Sequence, residues 1–232
     1  MQRFFAKDQQ SDFFIINEDD EYQIKKVLRY KINTEIEIVF DQKLFLAEIV
    51  SLTPLKIKKI SQLEEELQLL NVTLFIPFLK ENKMSFLLQK ATELGVDKIG
   101  IYQADRSMIK KTDNYLKKLK RYLKIVKEAS EQSKRLTLPL IEFVDQETLI
   151  AELGPKFICL PQAKINFKNH LKKLDDYDNI KLLIGPEGGF SLSEEELYLA
   201  NGFIPINLGT RILRTETVPL FLLSSVNYQK ME

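Results

Sequence analysis

The chain has 232 residues, 44% hydrophobic and 29% charged, the balance of a globular protein rather than a disordered, fibrous or membrane one. A single cysteine, Cys159, and a single histidine, His170, exclude an internal disulfide, a cysteine zinc cage and a histidine-rich metal site, so no metal is expected. The net charge of +1 alone argues neither for nor against nucleic acid. The N-terminus MQRFFAKDQQSD has no apolar leader core and no run approaches the ~20 apolar residues that span a bilayer, so a cytoplasmic protein without membrane contact is expected.

Residues 1 to about 60 alternate short β-type runs, Phe13 to Ile16, Glu35 to Phe40, Leu44 to Val50 and Leu55 to Ile60, with polar breaks, the pattern of a small antiparallel barrel or sandwich. A short helix is expected near Glu21 to Tyr30. The acidic segment SQLEEELQLLN, residues 61–71, lacks strand alternation and holds the expected junction, between a domain of residues 1–68 and one of residues 69–232. Beyond it strands alternate with helices. Val72 to Phe78 reads as a strand. Asn82 to Leu94 is a helix with Met84, Leu87, Leu88, Ala91 and Leu94 on its apolar face and Gly95 at its end, and Lys98 to Tyr102 is a second strand. That β-α-β unit implies a parallel sheet. Thr112 or Asp113 is placed to cap the next helix, whose expected apolar stripe is Leu116, Leu119, Leu123 and Val126, with its lysines on the exposed face. Further strands are expected at Lys156 to Leu160, Ile180 to Ile184 and Ile204 to Leu208. A helix headed by Ser193 before Glu194, Glu195 and Glu196 follows the second of these, and a last helix covers Thr217 to Gln229.

Two features point beyond fold. Basic charge is local: from Arg106 to Arg135 there are eleven Lys or Arg against three acids, Asp113, Glu128 and Glu131. That is the footprint expected of a phosphate backbone, and also the composition of a solvated helix face. Glycine is scarce, 8 in 232, yet Gly185, Gly188, Gly189 and Gly209 fall in two loops, IGPEGGFS at Ile184 to Ser191 and LGTRILRTET at Leu208 to Thr217. Each loop directly follows a buried-looking strand, the place where open α/β sheets bind ligands. Neither matches a P-loop or a dinucleotide fingerprint, so phosphate cradling is not supported. The first loop also reads as a simple tight turn. In the second, Arg211 and Arg214 fit an anion or charge developing on a substrate, and equally an Arg–Glu pair that holds the loop together.

IGPEGGFS followed by LGTRILRTET resembles the paired C-terminal signature of the bacterial small-subunit ribosomal RNA methyltransferase E family, in the knotted SPOUT superfamily. QKATELGVDKI at Gln89 to Ile99, DRS at Asp105 to Ser107, EASEQSKR ending at Arg135 with Pro139 beyond, MQRFF at the start and KKVLR at Lys25 to Arg29 resemble that family in order and spacing, over essentially the whole chain. The stretch EYQIKKVLR carries Tyr22 and Gln23 where the family usually has histidine, Tyr122 stands for a common tryptophan, and Val218 for an alanine.

The resemblance implies an α/β fold: a parallel-sheet SPOUT domain with a deep trefoil knot, which ordinary pattern reasoning never proposes, preceded by a small PUA-like β-barrel that binds RNA. It implies a homodimer that uses S-adenosylmethionine to methylate N3 of a uridine in 16S rRNA of the small ribosomal subunit. By motif, the cofactor contacts fall on Leu160, Pro161, Ile184, Gly185, Pro186, Glu187, Gly188, Gly189, Leu208, Gly209, Ile212, Leu213 and Arg214. Arg211 and Arg214 are expected to stabilise negative charge developing on the uracil oxygens, and Glu216, like Glu187, to shape its loop or relay a proton. Arg3, Arg29, Arg106, Lys117, Lys118, Lys120, Arg121, Lys124 and Arg135 are expected to face RNA, whose target base must leave its stack to expose N3. No general base is evident, and His170 lies outside the motifs. The competing readings are a catalytically silent RNA-binding or ribosome-assembly module and a related methyltransferase acting on transfer RNA.

Overall fold

A computed structural model describes residues 1–64, 70–109 and 115–230. The expected junction at residue 68 and the expected caps Thr112 and Asp113 lie outside the described residues. By internal contact the chain forms two units, Met1–Leu67 with Ser130–Thr137, and Gln68–Ala129 with Leu138–Glu232.

The first unit is built on strands β1 (Arg3–Phe5), β2 (Asp8–Gln10), β3 (Phe13–Ile15), β4 (Glu35–Phe40), β5 (Lys43–Leu52) and β6 (Leu55–Leu63), in the order β1-β4-β5-β6-β3-β2. All neighbours are antiparallel except β1 with β4, a parallel pair that the expectation of a purely antiparallel sheet misses. The two edge strands are consecutive pieces of chain. Across the bend between them, the Ala6 N–H donates to the Val39 carbonyl and the Lys7 N–H to the Ile15 carbonyl, so the sheet curls until its ends meet and no long edge is left unpaired. Alternate residues point inward, Ile36 and Ile38 from β4 and Phe45, Ala47 and Ile49 from β5, onto Phe4, Phe14 and Ile57.

The helix expected near Glu21 to Tyr30 begins earlier, as α1 (Glu18–Tyr22). Asn17 caps it by accepting from the Asp20 N–H at 2.8 Å, and it continues as a π-turn over Gln23–Val27 that buries Ile24 completely. Arg3 is expected to face RNA, but the structure seats it inside this unit, 3% exposed. Its Nε donates to Glu37 Oε2 at 2.8 Å and its guanidinium to the Lys134 carbonyl, while Lys134 Nζ donates to the same carboxylate at 2.9 Å. Burial alone pushes the Glu37 carboxyl up, yet the hydrogen bonds from Lys134 and Arg3 hold it below its ordinary value. A guanidinium committed in this way has no face left for a phosphate.

The second unit is a six-stranded parallel sheet: β7 (Asn71–Pro77), β8 (Lys98–Tyr102), β9 (Leu140–Val144), β10 (Lys156–Cys159), β11 (Asn179–Leu183) and β12 (Phe203–Ile206), in the order β12-β10-β11-β7-β8-β9. Helices α2 (Glu81–Glu93), α3 (Tyr115–Gln132), α4 (Gln146–Ala151), α5 (Lys168–Leu171), α6 (Leu192–Ala200) and α7 (Val218–Lys230) connect or follow the strands. Successive residues of a strand point to opposite faces, and both faces are covered. Val72, Leu74 and Ile76 of β7 join one core with Leu87 and Leu88 of α2, Tyr122 and Val126 of α3 and Leu222 and Val226 of α7. Phe75 of the same strand joins the other, with Leu149 of α4 and Tyr198 of α6. A strand buried on both sides explains why β7 reads as a near-continuous apolar run.

Two expectations are corrected. On α3 the inward residues are Tyr122, Val126 and Ala129, with Leu119 partly buried, whereas Leu123 is 45% exposed; the Leu116 side chain lies outside the described ones. The cap of α6 is Ser191 rather than Ser193: Ser191 Oγ accepts from the Glu194 N–H at 3.1 Å while Glu194 Oε2 accepts from the Ser191 N–H at 2.8 Å. The reciprocal S-x-x-E spacing satisfies two helix-end donors where Ser193 would satisfy neither. Among the described residues no helix is long and apolar enough to cross a membrane.

Candidate functional site

Strands β12, β10 and β11 are neighbours in the sheet, so the segments leaving their carboxyl ends converge. They enclose a cleft of about 850 Å3, within the ~300–1,000 Å3 usual for small-molecule sites. Leu160 and Pro161 come from the end of β10, Ile184, Gly185, Pro186, Glu187 and Gly189 from the end of β11, and Leu208, Gly209, Arg211, Ile212, Leu213 and Arg214 from the end of β12. Of the residues expected at a cofactor, Gly188 alone is not on the lining. It faces Arg106 instead, whose Nη1 donates to its carbonyl at 3.4 Å, and a Cβ on Gly188 would stand 3.2 Å from the Arg106 Cβ.

The first loop is held by packing. The Phe190 ring lies so close over Gly185 that a Cβ there would approach it to 2.9 Å, and the Gly189 N–H closes a tight turn on the Pro186 carbonyl at 2.9 Å. The loop then feeds into the Ser191 cap. Ser191 Oγ also donates to Asp105 Oδ2 at 2.6 Å, and the buried Glu194 accepts from the Asp105 N–H at 3.0 Å. The DRS motif therefore serves the cap through Asp105 and the cleft lining through Arg106.

Asn207 organises the start of the second loop. Its Nδ2 donates to the Ala163 carbonyl at 2.7 Å, and its Oδ1 accepts from Asn166 Nδ2 at 2.8 Å and from the Gly209 N–H at 3.1 Å. Gly209 has φ +106°, and among the described residues, its chain neighbours aside, a Cβ on it would meet nothing within 4 Å. The backbone here turns in a way that L side chains resist, and the space beside it is open. Arg211 and Arg214 are exposed, and among the described residues neither guanidinium takes part in an ion pair.

Glu216 is not on the cleft lining. The Arg–Glu pair considered from sequence does not form; Glu216 pairs with Lys83 of α2, at 3.1 Å, and the same ammonium donates to Glu187 at 3.0 Å. Burial pushes the Glu216 carboxyl up, but its own backbone N–H, Lys83 and the charge of Arg214 outweigh this and hold it below its ordinary value. Lys83 lines the cleft. Neither it nor Asn207 stands out in sequence, since Lys83 meets carboxylates more than a hundred residues along the chain and Asn207 ties its loop to Ala163 and Asn166, more than forty residues before it. Cys159 also lines the cleft, and burial pushes its thiol up to about 12, leaving it protonated and non-nucleophilic near neutral pH. His170 packs its ring on Phe157 and is not on the cleft lining.

On α3, Lys117, Lys120, Arg121 and Lys124 are exposed and Lys118 is half-buried. Arg121 also pairs with Glu81 of α2 at 3.2 Å. Arg29 is exposed at φ +52° just after the π-turn, and Arg135 is half-buried, its Nε donating to the Thr137 carbonyl at 3.3 Å.

A parallel sheet with a cleft over three neighbouring strand ends is the setting of a nucleotide-type cofactor, and the family model described as RNA methyltransferase domain matches residues 65–227. The ribosomal RNA small subunit methyltransferase E of Mesomycoplasma hyopneumoniae is 33% identical over 97% of this chain and 98% of its own length, and the enzyme named ribosomal RNA small subunit methyltransferase E 2 of Borreliella burgdorferi is 31% identical over 91% and 90%. The crystal structure of a ribosomal RNA small subunit methyltransferase E from Neisseria gonorrhoeae bound to S-adenosyl methionine superposes with a TM-score of 0.87 at 27% identity, covering 98% of this chain and 97% of that one. The chain belongs to the ribosomal RNA small subunit methyltransferase E family.

Proposed function

We propose that this protein transfers a methyl group from S-adenosylmethionine to N3 of a uridine in 16S rRNA of the small ribosomal subunit. The observation that carries the reading is the convergence of the β10, β11 and β12 loops on one cleft with a largely apolar lining. Such a lining suits adenosine and a sulfonium better than a phosphate, and the open space beside Gly209 leaves room for a ligand against bare backbone. The bound cofactor supplies an electrophilic methyl carbon, so the main task left to the chain is positioning. Leu160, Pro161 and the two loops hold the adenosine. Arg211 and Arg214, exposed at the cleft, offset the negative charge that grows on the uracil oxygens as the N3 proton leaves. Arg106, at the same cleft, grips a neighbouring phosphate. Glu216, stabilised as a carboxylate, is a poor proton acceptor and serves the loop.

In the same reading the first unit is a PUA-like barrel that contacts RNA with Arg29, the exposed lysines of α3 add nonspecific attraction, the second unit carries the trefoil knot, and the protein works as a cytoplasmic homodimer. The test is labelled methyl transfer to undermethylated small subunits, with the modified nucleotide mapped and transfer RNA as the competing substrate. Label at uridine N3 of 16S rRNA is the expected result. Label on transfer RNA alone, or no uptake of S-adenosylmethionine by calorimetry, overturns the proposal.

A further inference from the structure

The two loops that wall the cleft leave different strands, and among the described residues no hydrogen bond joins one directly to the other. Both nevertheless place a carboxylate on the same ammonium. Lys83 Nζ lies 3.0 Å from Glu187 Oε1 of the first loop and 3.1 Å from Glu216 Oε2 of the second, and the three side chains are 28%, 26% and 15% exposed. The ammonium is not free to wander. It projects from the first turn of α2, whose next turns bury Met84, Leu87 and Leu88 completely in the core under the sheet. The cation is thus anchored to the rigid body of the unit, while its two partners sit in loops. Remove it, and the two carboxylates lose the ammonium they share, with the charge of Arg214 left to offset Glu216 alone, which favours separation of the loops.

We propose that Lys83 is the positioning residue of the cofactor cleft, a single ammonium that draws Glu187 and Glu216, and with them both loops, onto the end of α2. The inference rests on the methyltransferase reading for its consequence, tighter cofactor binding, but its geometry stands apart from that reading. Each pair taken singly is of the partly exposed kind that contributes modestly. What gives Lys83 its leverage is that one residue serves both loops at once.

The experiment is amide hydrogen exchange on the full-length, ligand-free protein, with S-adenosylmethionine affinity by calorimetry on the same samples. Lys83→Met is expected to speed exchange in both residues 184–191 and residues 208–217 by about five- to tenfold and to weaken cofactor binding by a similar factor. Lys83→Arg, which keeps a cation able to meet two carboxylates, is expected to stay within about twofold of wild type. Glu187→Gln is expected to loosen the first loop only and Glu216→Gln the second only. Adding Glu187→Gln to Lys83→Met is expected to recover part of the lost affinity, because it removes the like-charge repulsion; a merely local packing role for Lys83 gives no such recovery. Lys90→Met, on the same helix, is the control and should match wild type. Unchanged exchange in Lys83→Met, a rise confined to one loop, or an arginine variant as loose as the methionine one overturns the proposal. If Lys83→Met does not fold, the separate glutamine variants decide, since a response of both loops to either one contradicts the arrangement. A wild-type protein that takes up no cofactor defeats the methyltransferase reading alone, and the exchange pattern still decides the role of Lys83.

Discussion

The two loops of the cleft are built by different means. The first is locked from within the fold: a ring stacked over Gly185, a turn closed onto Pro186, and a capping box that continues through Ser191 into Asp105 and Glu194. The second is pinned at its ends, by Asn207 on Gly209 and by the Thr217 N–H on the Arg214 carbonyl at 2.8 Å, while Ile212 between them is 86% exposed. The difference teaches a division of labour. A stiff loop presents backbone in a fixed place at no cost when ligand arrives, and a looser one presents side chains that adjust to it.

The largest expected effect tests whether the looser loop carries the chemistry. Arg214→Ala should slow single-turnover methyl transfer by about 10²- to 10³-fold, the range for losing one preorganised charge stabiliser, with a smaller change in cofactor affinity; a rate within twofold of wild type would remove Arg214 from the mechanism. Next, Lys117, Lys118 and Lys120 all changed to Glu should weaken RNA binding by roughly ten- to a hundredfold and make its salt dependence shallower by about two to three in slope, with cofactor binding untouched because neither loop is involved. An unchanged slope rejects α3 as a phosphate contact.

A pair of glycine variants addresses the contrast itself. Gly185→Ala drives a methyl group into Phe190 and should lower global stability by about 1–3 kcal/mol, read as a clear drop in Tm. Gly209→Ala meets only the strain of its positive φ, about 1–2 kcal/mol, which a loop pinned only at its ends can relieve locally. It should weaken cofactor binding with a smaller loss of Tm. Equal losses in the two variants would erase the distinction between the loops.

The smallest effect is in pH. Glu216 is held below its ordinary value of 4.5, so its contribution is complete above that value and fades only as pH falls through the depressed one. The stability difference between wild type and Glu216→Gln should therefore be flat from about pH 5 to 8 and shrink only in stronger acid. A difference that already shrinks near pH 6 would contradict the paired carboxylate.

Much of the second unit is legible in the amino-acid sequence. The apolar run of β7, the amphipathic helix after it and the strand of Lys98 to Tyr102 obey local rules of spacing, and the two glycine-bearing loops stand out because the rest of the chain avoids glycine. The features that sequence hides share one cause, dependence on distant neighbours. Strand β9 is hidden because LIEFV is an edge strand whose Leu140 is 55% exposed, so its pattern is mixed. Leu123 looks like core by helical spacing, but the contact face of α3 is turned so that Tyr122 goes in and Leu123 out. Arg3 looks like a phosphate contact because nothing near it in sequence announces Glu37 or Lys134.

By itself the sequence determined much of the strand-and-helix order of the second unit, though not β9, α4 or α5, the place of the two glycine-bearing loops and, through its motifs, the family. Tertiary structure alone decided which cation meets which carboxylate: Arg3 with Glu37 in the first unit, and Lys83 with Glu187 and Glu216 at the cleft. The reason is one of range. Periodicity, caps and turns are set by residues within a few positions of one another, whereas the Lys83 pairs span more than a hundred residues of chain and exist only because α2, β11 and β12 pack where the core puts them.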